Sequence, residues 1–137
     1  NLSSTLFGIG LGNASYSAAF SFFNSRFYLL YQALHYHWFT DAIVFIETGS
    51  IGLALYELFY IYLFVYSKKV NKRISLLYEE ESITDLRCVV QVAGIVAILC
   101  IINSVYNSAL SMDAGYMAYF ILAVPGIVNI YMREVQQ

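Results

Sequence analysis

Charge is scarce in this chain. Only 12% of its 137 residues are Asp, Glu, Lys or Arg, against about 25% in an average soluble domain. A soluble protein of this size keeps much of its chain at the surface, and with so few charges that surface would be dominated by apolar patches. Seven basic residues against nine acidic ones are too few for a nucleic-acid-binding face. Cysteine is nearly absent as well. Cys88 and Cys100 would stand about 18 Å apart along a helix rising 1.5 Å per residue, too far for a disulfide within one helix. Neither a disulfide framework nor a metal-ligand spacing can be read, so two buried, unreactive thiols are expected. The opening Asn1-Leu-Ser-Ser-Thr-Leu-Phe-Gly lacks the basic region of a signal peptide. A start at Asn rather than Met leads us to expect a piece of a longer chain.

What is abundant is apolar. Hydrophobic residues reach 60% and aromatic residues 18%, with a mean hydropathy of +0.65. The solvent that fits is a bilayer, whose core takes helices of about 20 apolar residues. Three segments meet that requirement directly, at 42–66, 88–110 and 115–132. A fourth, at 2–23, is built from Gly, Ser, Ala and Asn, residues frequent where membrane helices pack closely. The expected fold is therefore all-α: a polytopic membrane protein of four antiparallel spans forming a single domain. An outer loop at 24–41, an inner loop at 67–87 and a tail at 133–137 complete it.

The inner loop sets the orientation. Lys68, Lys69, Lys72, Arg73 and Arg87 all lie there, and short basic loops stay in the cytoplasm. The carboxyl terminus then falls on the cytoplasmic side, with the plasma membrane the expected location. Glu79, Glu80 and Glu81 follow the basic block. Attraction to anionic lipid explains the lysines but not the glutamates, so an intracellular docking surface with two charge blocks is the alternative. Ser82-Ile83-Thr84-Asp85 has the form of a capping box with Asp in place of Glu, which starts a helix ahead of the apolar run at 88–110.

Inside the spans, ionisable residues are functional candidates by default. Glu47 and Glu57 share a stripe with Ser50 and Ala54 at 100° per residue. Cys100, Asn103, Ser104, Asn107 and Ser111 form a second polar stripe. Glu47, Glu57, Asn103 and Asn107 are the candidate ligand-cavity residues. Interhelical hydrogen bonding, or a place for Glu47 at the outer interface, is the structural alternative. Pro125-Gly126 interrupts the last span and is a candidate hinge or a static bend. His35 and His37 flank Tyr36 in the outer loop, where interface placement competes with pH sensing. Asn1 and Asn13 each begin a glycosylation pattern, although the expected topology hides both. No nucleophile–base pair, phosphate loop or metal motif is present, so neither enzymatic activity nor a cofactor is expected.

Ile74-Ser75-Leu76-Leu77-Tyr78-Glu79-Glu80-Glu81-Ser82-Ile83, between a basic juxtamembrane stretch and an apolar helix, resembles the third inner loop of nematode serpentine chemoreceptors. Several of those families carry Leu-Ser-x-basic-Tyr-Gln-x-x-Glu-Asn there. Ser75 and Tyr78 match and Ile74 and Glu79 nearly match, while Leu77 replaces a basic residue and Ser82-Ile83 replace Glu-Asn. The resemblance implies helices four to seven of a seven-helix receptor. It also implies a small-molecule ligand in the bundle and a heterotrimeric G protein on the inner loop. A transporter, channel or membrane-complex subunit of four helices is the competing expectation.

Overall fold

The computed structural model describes residues 2–14, 16, 22, 24–77, 84–107 and 114–134. Among these the elements are helical: α1 (Leu2–Phe7), α2 (Arg26–Tyr31), α3 (Thr40–Leu77), α4 (Thr84–Tyr106) and α5 (Ala114–Glu134). Two single 3-10 turns, Gln32–Leu34 and Tyr36–Trp38, link α2 to α3. Three helices, α3, α4 and α5, are long and apolar enough to cross a membrane. The expected runs at 42–66 and 115–132 fall in α3 and α5, and the run at 88–110 falls in α4 as far as Tyr106, with 108–110 outside the described residues.

The bundle is held by small residues on α4. Ala93, Ala97, Cys100 and Ser104 are all buried, at spacings that place them on one face of a helix. Small side chains let neighbouring backbones approach closely in lipid, where burial of apolar surface gives little drive to association. Two apolar clusters result. Tyr60, Ala97, Cys100 and Leu122 pack in one; Val70, Ile74, Val90, Val128 and Met132 pack in the other. Contacts from α3 to α4 run in opposite chain directions, with Ser67 Oγ donating to the Val90 carbonyl at 2.6 Å and Glu57 meeting Ser104. Contacts from α3 to α5 run in the same direction, Tyr60 to Tyr119 and then Tyr66 to Asn129. The large residues left outside, such as Leu55, Leu58, Ile95, Leu99, Phe120 and Ile127, give the bundle an apolar exterior suited to lipid.

The described residues 2–14 depart from the expected fourth span at 2–23, of which 15, 17–21 and 23 lie outside the described residues. Among those described, helix covers Leu2–Phe7, and residues 8–14 run as irregular chain against α3. The cause lies in α3 itself. Gly49, with φ 73° and ψ −171°, is non-helical within it. That conformation interrupts the hydrogen-bond ladder, which in a non-aqueous setting must be completed from elsewhere. The Ile9 amide donates to the Ile46 carbonyl at 2.9 Å, and the Gly10 amide to the Glu47 carbonyl at 3.0 Å. The two backbones approach so closely that a Cβ on Gly49 would strike the Leu6 carbonyl, and one on Gly8 would strike Glu47. Beyond the break, the Asn107 carbonyl at the end of α4 accepts from both the amide (3.2 Å) and the hydroxyl (3.0 Å) of Thr40.

Two further boundaries differ from the sequence reading. Residues 67–77, assigned to the inner loop, continue α3 as helix; lysine and arginine are good helix formers, and Val70 and Ile74 bury against α4 and α5. Pro125 sits within α5 without a non-helical residue around it, so the backbone break lies at Gly49 rather than at Pro125-Gly126. Cys100 is buried as expected, whereas Cys88 is exposed.

Candidate functional site

A polar cluster crosses the middle of the bundle. Glu57, part-buried on α3, accepts a hydrogen bond at Oε1 from the Ser104 hydroxyl of α4 at 2.8 Å. The same hydroxyl lies 2.7 Å from the Ile101 carbonyl. Glu57 Oε2 is buried without a hydrogen-bond partner among the described residues. One turn along α3, Tyr60 is fully buried and donates to Tyr56 Oη at 3.1 Å. Its hydroxyl also lies 3.2 Å from that of Tyr119 on α5. The Tyr56 and Tyr60 rings meet edge to face at 5.1 Å, a favourable aromatic arrangement. The Glu57–Ser104 bond thus joins α3 to α4, and the Tyr60–Tyr119 contact one turn along joins α3 to α5.

The expected cavity residues do not all meet. Glu47 is separated from Glu57 by the break at Gly49, which ends the helical stripe they were expected to share. Its Oε1 instead accepts from the Ala14 amide at 3.1 Å, fastening residues 8–14 to α3. Twenty residues counted back from Lys68 reach Thr48, about 30 Å of helix, so Glu47 stands at the bundle end rather than mid-span. Ser104, rather than Asn103, meets Glu57. Asn107 is exposed at the end of α4, where its carbonyl receives Thr40. Tyr56, Tyr60 and Tyr119 escaped the sequence reading because tyrosine was grouped with the hydrophobic residues; the i, i+4 spacing of Tyr56 and Tyr60 beside Glu57 was the available signal.

A second polar chain lies at the basic end. Arg73 Nη1 donates to Asn129 Oδ1 at 3.0 Å, and Asn129 Nδ2 donates to Tyr66 Oη at 2.9 Å. Arg73 is therefore built into the α3–α5 contact, whereas Lys68, Lys69 and Lys72 are exposed. Lys68 Nζ stands 4.5 Å from the centroid of the Phe64 ring, a cation–π contact. Glu79, Glu80 and Glu81 lie outside the described residues. Pro125 is buried and Gly126 part-buried.

At the opposite end an aromatic layer surrounds residues 8–14. Tyr36 donates from its hydroxyl to the Ala14 carbonyl at 2.8 Å. Its pKa is held above the usual 10, first by burial and then by Tyr28 and Glu47. The Ser25 hydroxyl donates to the Asn13 carbonyl and also caps α2. His35 and His37 stand with ring centroids 5.8 Å apart. Among the described residues no three His, Cys, Asp or Glu side chains are grouped to hold a metal ion. Comparison with family models, with curated proteins and with solved structures finds no match for the chain.

Proposed function

We propose that this chain is the later portion of a serpentine chemoreceptor-like membrane protein, sensing a small polar molecule within the bundle and coupling to a heterotrimeric G protein. The observation that carries the reading is the buried Glu57 Oε2, which has no partner among the described residues. A buried acceptor left unsatisfied costs about 1–3 kcal/mol, and a ligand donor reaching Glu57 would recover it. Ser104 ties that carboxyl group to α4, and Tyr60 ties the next turn of α3 to α5 through Tyr119. A ligand binding more tightly to one arrangement of these contacts would shift the bundle toward it. Coupling is assigned to exposed Lys68, Lys69 and Lys72 with Glu79, Glu80 and Glu81, on the cytoplasmic face of the plasma membrane. Arg73 supports that surface through Asn129.

The test is co-purification of the full chain with G-protein subunits from its native membranes. Reversing Lys68, Lys69 and Lys72 to Glu, with Arg73 retained, should abolish the association. Failure of the unmodified chain to recover any G-protein subunit overturns the receptor reading. The second reading, a subunit of a membrane complex, draws on the hydrogen bonds that fasten residues 8–14 at the α3 break. Recovery of a stoichiometric membrane partner in place of a G protein would favour it.

A further inference from the structure

Between α3 and α4, at the basic end of the bundle, a groove of about 300 Å³ opens sideways from the helix pair. Phe64, Gly94 and Ile95 form its apolar part, with Lys68, Asn71 and Gln91 at its polar part. Gly94 lies beside Ser67 and Phe64: a Cβ there would stand 3.4 Å from the Ser67 side chain, in ordinary van der Waals contact, and a longer side chain would extend into the groove. Ile95 is exposed beside it, so a chain lying in the groove is continuous with the lipid-facing exterior. The polar part has one unmet need: Asn71 Oδ1 is buried with no donor among the described residues. Lys68 follows the apolar run of α3 and has the charge to pair with a lipid phosphate.

We propose that this groove is a binding site for an anionic glycerophospholipid whose headgroup carries a hydrogen-bond donor. An acyl chain lies along Phe64, Gly94 and Ile95; Lys68 takes the phosphate; and Asn71 Oδ1 accepts from a headgroup hydroxyl or ammonium. A phosphate alone would satisfy Lys68 but leave both Asn71 and the apolar part of the groove unused. The charge and the donor requirement together select against phosphatidylcholine, which is zwitterionic and has no headgroup donor. The site shares Lys68 with the proposed coupling surface but needs neither Glu57 nor a G protein, so lipid binding by the purified protein tests it apart from the receptor reading.

The purified protein in neutral detergent is titrated with phosphatidylglycerol, phosphatidylcholine or soluble glycerol phosphate, and the bound fraction is read by native mass spectrometry. One phosphatidylglycerol should bind saturably, at least fivefold more tightly than phosphatidylcholine, a ratio of the order expected for one basic contact at an anionic headgroup. Lys68→Gln should weaken it roughly fivefold, Asn71→Leu should weaken it as well, and Gly94→Leu should abolish it by filling the groove. Arg133→Gln, which removes a charge from the same end of the bundle outside the groove, should leave binding unchanged. Equal weakening by Arg133→Gln, equal affinity for phosphatidylcholine, or glycerol phosphate binding as tightly as the lipid would each overturn the site. If Gly94→Leu loses helix content by circular dichroism, Lys68→Gln and Asn71→Leu decide the matter.

Discussion

Glu57 and Ser104 set opposite demands on substitution. Removing the Ser104 hydroxyl leaves both carboxyl oxygens of Glu57 buried without this partner, and the cost of a broken buried contact exceeds the net worth of the bond. Ser104→Ala should therefore destabilise the bundle by about 1–3 kcal/mol. The double replacement Glu57→Met with Ser104→Ala, which removes both partners, should recover most of that loss. Thermal unfolding in a mild detergent measures both, and equal losses in the single and double variants would deny the pairing. Tyr36 gives a second residue-scale test. Its pKa is raised in the folded protein, so its contribution to stability is complete below the ordinary tyrosine range near 10 and is lost as pH rises through the higher folded value. Residues 8–14 should loosen in that alkaline window, since a phenolate cannot donate to the Ala14 carbonyl. Proteolysis near Asn13, compared between the native chain and Tyr36→Phe across that pH range, checks it; Tyr36→Phe should cut readily at every pH.

Among the elements, α3 and α5 reverse the expectation about where a helix breaks. A proline removes one hydrogen bond, and α5 carries Pro125 without a non-helical residue. Gly49→Ala would put a Cβ into the Leu6 carbonyl at a positive φ, and should destabilise by about 1–3 kcal/mol. Pro125→Ala should be near neutral by comparison, and thermal unfolding of the two variants ranks them. The apolar runs of α3, α4 and α5 were legible because about 20 lipid-compatible residues in a row have few other uses. The amino-terminal region was not. Small residues serve close helix packing and irregular close-packed chain equally, and the alternate spacing of Gly8, Gly10 and Gly12 was the cue that no helical face was being built. The helical continuation through Lys68–Leu77 was hidden because charge reads as loop, although Val70 and Ile74 kept the apolar spacing. In the site, Glu57 and Ser104 could be found as polar residues in apolar surroundings. The tyrosine hydroxyls could not, because their partners lie on helices whose register no local pattern reveals.

At the scale of the molecule, α3 and α5 run in parallel with α4 between them in sequence and opposite in direction, so Lys68 and Arg133 share one end. If that end is cytoplasmic, a cysteine at Glu80 should resist an impermeant thiol reagent in intact cells and react after permeabilisation. Exposed Cys88 must first be replaced by Ser to give a silent background, while buried Cys100 can remain. Labelling of Glu80→Cys in intact cells would invert the assignment.

The contact between residues 8–10 and the break in α3 also constrains the order in which the protein is made. The amides of Ile9 and Gly10 leave the ribosome long before the carbonyls of Ile46 and Glu47. Until those carbonyls emerge, the amino-terminal segment must keep its polar groups in contact with water. Its final docking is thus a late step of biogenesis, after α3 has been synthesised.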